Sequence, residues 1–149
     1  IARLRKEFPT TIAGLKDSSG DWNSTKAFLD AHPDLEIFPG SEAFLLDGLR
    51  AGGVGTISAS ANVNPGMLRK VFDNWQGADA DALQAKIGGV RKVLQSATMI
   101  PLLKGIIGHY RKDAGWSKVR PPFVEAPAAE VAAVVKSLEA EHGFSMNIA

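Results

Sequence analysis

The sequence predicts an α/β fold: about three parallel βα units over residues 1–77, followed by a helical region over residues 78–149. Two observations predict it. In the first half, short apolar runs alternate three times with helix-like stretches across short connections, the pattern of parallel strands joined by right-handed crossovers. In the second half the apolar residues recur with a helical period and no strand pattern returns. The 149 residues suffice for one core, and 45% apolar against 22% charged residues place the chain among ordinary globular proteins.

Each element has its own signal. Ala2–Phe8 has helical composition, and Pro9-Thr10-Thr11 leads into a first strand over Thr11–Leu15. After the polar loop Asp17–Gly20, Asp21 is placed to cap a helix that buries Phe28 and Leu29 and ends before Pro33. The second strand is Leu35–Phe38, and Pro39-Gly40-Ser41 turns the chain into a helix from Glu42 to Ala51 that stops at Gly52-Gly53. Val54–Ser58 reads as a third strand, and Pro65 opens the next helix. From Ala78 to Asp113 the face Leu83, Ile87, Val90, Leu94 and Ala97 is helical, with an interruption expected at Pro101. Pro121-Pro122 belongs to an extended linker. A last helix spans Ala128–Glu141, and the tail after Gly143 is expected to fray.

Three parallel strands are too few to close a barrel, and standing free they leave edges that need covering. Two architectures fit: a small doubly wound sheet with a helical annex, or the C-terminal part of a (β/α)8 TIM barrel with a helical extension. The opening at Ile1, directly in a helix-like stretch, favours the barrel and leads us to expect a further portion upstream.

Composition excludes several functions. A net charge of +1 provides no field for nucleic acid or an anionic membrane, so neither is expected as a partner. No cysteine is present, which removes disulfides, thiolate catalysis and cysteine-based metal sites, and fits a cytoplasmic location. No histidine pair has metal-ligand spacing, and no apolar stretch has the length of a membrane span. Gly53-Val54-Gly55 is a poor dinucleotide fingerprint, because its glycines precede a strand and the third is missing.

The candidate chemistry lies at strand ends, where ligands collect in parallel α/β proteins. The first offers Lys16, with Asp17, Ser18 and Ser19; the second Gly40, Ser41 and Glu42; the third Ser58, Ser60 and Asn62. A lysine in a partly dry site attacks carbonyls to form a Schiff base. A lysine at a strand end also simply snorkels into water, and serines cap helices and turns. The local pattern leaves both readings open.

Three segments together carry a family resemblance. Gly14-Leu15-Lys16-Asp17-Ser18-Ser19-Gly20-Asp21 resembles the Schiff-base lysine segment of the dihydrodipicolinate synthase/N-acetylneuraminate lyase superfamily. Phe38-Pro39-Gly40-Ser41-Glu42 and Gly52–Val63 resemble that superfamily's two following strand ends, and Val119-Arg120-Pro121-Pro122 resembles its C-terminal linker. The resemblance implies barrel strands six to eight, with Lys16 as the catalytic lysine. It implies a substrate-binding role for Gly40, Ser41, Glu42, Ile57 and Ser58, with Gly40 and Ile57 around the pyruvyl part. The implied activity is that of a class I aldolase-type lyase, joining or cleaving C–C bonds through a pyruvate or 2-oxo acid imine. A sugar-acid hydro-lyase using the same imine, and a non-catalytic relative, are the alternatives. No metal or organic cofactor is implied, and the intact protein would be a homo-oligomer, a dimer or tetramer. Ala43 follows Glu42 where sugar-acid lyases often carry a second acid. The superfamily's tyrosine proton shuttle and carboxylate cradle belong to earlier strands, and Tyr110 is no match for the tyrosine. The chain alone is therefore expected to be inactive.

Overall fold

The computed structural model describes residues 1–146. Its strands are β1 (Gly14–Asp17) and β2 (Glu36–Pro39), paired in parallel with Lys16 opposite Phe38 and Asp17 opposite Pro39. Around them stand α1 (Ala2–Glu7), α2 (Trp22–Ala31), α3 (Leu45–Arg50) and α4 (Pro65–Asp73). The second half is helical: α5 (Ala80–Leu94), α6 (Met99–Arg111) and α7 (Ala128–His142).

β1 lies a little later than expected. The amides of Thr11 and Ile12 turn back to the Phe8 carbonyl, so the chain joins β2 only where the Ala13 carbonyl accepts from Glu36. Lys16 is consequently inside the strand, and Asp17 is its last residue. α2 begins as its sequence signal requires, with the Asp21 carboxylate accepting from the Asn23 amide at 2.9 Å.

The expected third strand, Val54–Ser58, is not a regular strand. It runs beside β2, with Val54 N donating to the Ile37 carbonyl and Ile57 N to the Pro39 carbonyl. Three steps along this segment thus match two along β2, as in a bulge. The extra residue is accommodated at Gly55, whose φ of +150° suits glycine. Among the described residues the regular sheet therefore has two strands, and the third segment continues it as a bulged edge.

Two further boundaries move. The helix expected from Glu42 starts with a tight turn, Glu42–Phe44, before α3. The break between α5 and α6 falls over residues 95–98, and Pro101 is the third residue of α6, where its missing N–H removes no helical bond. α7 stops at Gly143, which takes a left-handed conformation. The expected fraying does not begin there: Phe144 is buried and Met146 packs beside it, while residues 147–149 lie outside the described part. An apolar ring at the end of a helix gains more from docking than from hydration.

Three apolar clusters position these elements. Leu29, Leu35 and Ile37 join α2 to β2, and Leu45, Leu46, Leu49, Leu68, Val71 and Ile87 join α3, α4 and α5. The largest lies among α5, α6 and α7, with Leu94, Leu102, Ile106 and Leu138 fully enclosed. Each such side chain contributes roughly 1.5–3 kcal/mol of burial free energy. The helical region is thereby packed against the α/β part through α5.

Candidate active site

Alternation along the strands sets two faces of the sheet. Ile37, Pro39 and Asp17 are buried on one face, while Lys16 and Glu36 are exposed on the other with Phe38 half-buried beside them. α2 packs on the first face through Leu29 and Ile37, and Gly48 of α3 lies against Pro39 there, while no described helix packs on the second. Lys16 forms no ion pair among the described residues, so its amine is unengaged on the open face.

Backbone hydrogen bonds hold the three strand ends side by side. Gly40 N donates to the Asp17 carbonyl at 2.7 Å. The Pro39 carbonyl accepts from Ile57 N at 3.2 Å and from the Thr56 hydroxyl at 2.8 Å. Lys16, Gly40 and Ile57 are thus on three consecutive segments of one rim. Ile57 is 47% exposed there.

The loop after Lys16 is anchored by Asp17. Its carboxylate accepts from the Thr25 hydroxyl at 2.7 Å, the Ser19 amide at 3.0 Å and the Ser19 hydroxyl at 2.9 Å. Burial pushes this carboxyl up, but hydrogen bonds from Thr25, Ser19 and Ser24 outweigh it and hold the group below the usual aspartate value. Asp17 is therefore a structural anion that fixes the residues on either side of the Lys16 strand end.

The remaining candidates divide between rim and interior. Ser41 caps the turn after β2, accepting from Ala43 N at 3.3 Å. Ser58 is buried, with its hydroxyl 3.2 Å from that of Ser60. Glu42 is only 1% exposed, and its carboxylate accepts from Arg91 Nη1 at 2.9 Å and from the Ser60 hydroxyl. Its charge points into the molecule, away from solvent. Gln84 adds to the same joint, accepting from Leu46 N and donating to the Glu42 carbonyl. Arg91 and Gln84 carried no sequence signal, because on an amphipathic helix both read as solvated polar positions. Tyr110, on α6, donates to Glu139 at 2.7 Å, and burial raises its phenol above the ordinary value. No group of three or more potential metal ligands occurs among the described residues.

The parallel β1–β2 pair with helices packed on it makes this an α/β protein. Comparison with known proteins gives the family. The model of the dihydrodipicolinate synthetase family matches residues 1–141, and the chain belongs to that family. It is 36% identical over 131 residues to a DapA-like lyase of Chloroflexus aurantiacus, covering 87% of this chain and 44% of the relative. It is 33% identical over 81 residues to a 4-hydroxy-tetrahydrodipicolinate synthase of Methanopyrus kandleri, covering 54% of this chain and 27% of that enzyme. Among solved structures, dihydrodipicolinate synthase from Agrobacterium tumefaciens superposes with a TM-score of 0.78 at 31% identity, over 93% of this chain and 46% of the other. The N-acetylneuraminate lyase of Fusobacterium nucleatum, solved with pyruvate, shares the fold at a TM-score of 0.75 and 21% identity, over 95% and 49%. The chain spans less than half the length of these relatives. No helix among the described residues is long and apolar enough to cross a membrane.

Proposed function

We propose that the whole protein is a class I aldolase-type lyase in which Lys16 forms an imine with pyruvate or a related 2-oxo acid. In this reading the chain supplies the last βα units of a (β/α)8 barrel and its C-terminal helical extension. The observation that carries it is the place of Lys16: unengaged, on the uncovered face of a parallel sheet, at the end where two further strand ends meet it. In a closed barrel the uncovered face is the interior, and that interior opens at the C-terminal rim.

The chemistry follows from the amine. The Lys16 amine, in its unprotonated form, adds to the 2-oxo carbon; the carbinolamine hydroxyl takes up a proton and leaves as water, and an iminium remains. The iminium withdraws electrons from C3, so that a C–C bond there forms or breaks without a Lewis acid. Gly40 brings backbone rather than a side chain to the pyruvyl group, and Ile57 gives it an apolar wall. Ser41 follows Gly40 on the rim, and Ser58, buried behind Ile57 with its hydroxyl at Ser60, backs that wall. The relatives named as lyases and synthases support this reading, as does the pyruvate complex of the structural neighbour.

Borohydride reduction of the whole protein with pyruvate tests it. The expected product is a stable pyruvyl adduct on the peptide containing Lys16, absent from Lys16→Arg. Failure to trap any adduct at Lys16 overturns the proposal.

A further inference from the structure

Glu42 is an acid at the mouth of a strand whose charge does not reach the rim. Glutamate is almost never fully buried unless it is paired, and here both carboxylate oxygens are engaged. One accepts from Arg91 on α5, the other from Ser60. Ser60 is itself fully buried and meets Ser58, the residue after Ile57. On the main-chain side, Glu42 follows the Gly40–Ser41 turn, and its carbonyl is held by Gln84 of α5. One residue therefore ties three things together: the end of β2, the bulged segment that ends at Ser58, and the helical region. That segment lacks a regular ladder, so few backbone bonds fix its position against β2. The side-chain chain of contacts supplies what the ladder does not.

We propose that Glu42 is a positioning residue: held by Arg91, it sets through Ser60 the place of Ser58 and Ile57 on the rim across β2 from Lys16, and does not itself touch substrate. The inference rests on the assignment of Lys16 as the imine-forming lysine. An ion pair that only braced the fold would need no hydroxyl relay toward the rim. Two serines link it there, and their removal separates positioning from bracing while the ion pair remains intact.

The test measures borohydride trapping of pyruvate on the whole protein as a function of pyruvate concentration, in the parent, Ser60→Ala, Ser60→Thr and Glu42→Gln. Misplacement of Ser58 and Ile57 is expected to raise half-saturating pyruvate for Ser60→Ala by about tenfold, with full adduct still reached at saturation. Ser60→Thr keeps the hydroxyl and is expected within about twofold of the parent. Glu42→Gln is expected to follow Ser60→Ala. Unchanged half-saturation in both Ser60→Ala and Glu42→Gln overturns the inference, as does an equal rise in Ser60→Thr, which would indicate packing instead of the hydroxyl. If Glu42→Gln does not fold, the two Ser60 variants decide. A parent that forms no adduct overturns the Lys16 assignment, and this inference falls with it; a parent that forms one while the variants match it overturns this inference alone.

Discussion

Gly40 and Asp17 touch through their backbones: the Gly40 amide donates to the Asp17 carbonyl at 2.7 Å, which holds the turn after β2 against the end of β1. A Cβ at Gly40 would stand 2.7 Å from that carbonyl and 3.1 Å from the Ser18 Cα. Both obstacles are backbone, which cannot swing aside as a side chain can. Gly40→Ala is therefore expected to cost about 1–3 kcal/mol and to push the end of β2 away from the end of β1, the strand that carries Lys16. Urea denaturation measures the cost. A stability equal to the parent's would show that the strands separate freely.

Asp17 predicts how stability depends on pH. Its folded carboxyl ionises below the usual value, because the hydroxyls and amide around it favour the anion. The sign follows from linkage: a depressed folded pKa contributes stability that is complete above the unfolded value, near 3.8, and is lost as pH falls through the folded one. The parent should thus lose stability on acidification from pH 5 toward pH 2. Thr25→Val removes the 2.7 Å bond and leaves a buried acceptor short of a donor, at a cost of about 1–3 kcal/mol at pH 7. The gap between variant and parent should narrow at low pH, where Asp17 is protonated in both. Chemical denaturation at the two pH values checks this, and a gap independent of pH would refute it.

The parts of this molecule that were legible in the sequence are those with local signals. Asp21 caps α2, Ser41 caps the turn after β2 and Pro65 opens α4, each through features within a few residues. The placement of Lys16, Gly40 and Ile57 on neighbouring strand ends also followed, because βα repetition forces parallel neighbours. What was not legible depends on distance along the chain. The Glu42 carboxylate looks inward because of Arg91, 49 residues later, and no local pattern announces such a partner. The bulge at Gly55 was hidden for a related reason: Val54–Ser58 has the composition of a strand, and its mismatch with β2 arises only on pairing. Phe144 followed a helix-stopping glycine and read as tail, yet the cluster among α5, α6 and α7 has room for its ring.

Two helical glycines make opposite predictions, and together they test the packing of the helical region. Gly88 lies within α5, and a Cβ there would meet nothing within 4 Å. Gly88→Ala should stabilise the protein by about 0.5–1 kcal/mol, because alanine loses less backbone freedom on folding and is the better helix former. Gly105 lies within α6 facing α7, and a Cβ there would come 2.6 Å from Val131 Cγ2. Val131 is β-branched, stiff at χ1 and buried, so its methyl cannot turn away without disturbing the cluster. Gly105→Ala should therefore destabilise by about 1–3 kcal/mol despite the same gain in helix propensity. The pair Gly105→Ala with Val131→Ala relieves the clash. In a double-mutant cycle it should be more stable than the two single costs add up to, with a coupling of about 0.5–3 kcal/mol. Thermal or urea unfolding of the four variants measures this. Additivity of the Gly105 and Val131 effects would mean that α6 and α7 do not meet at this point.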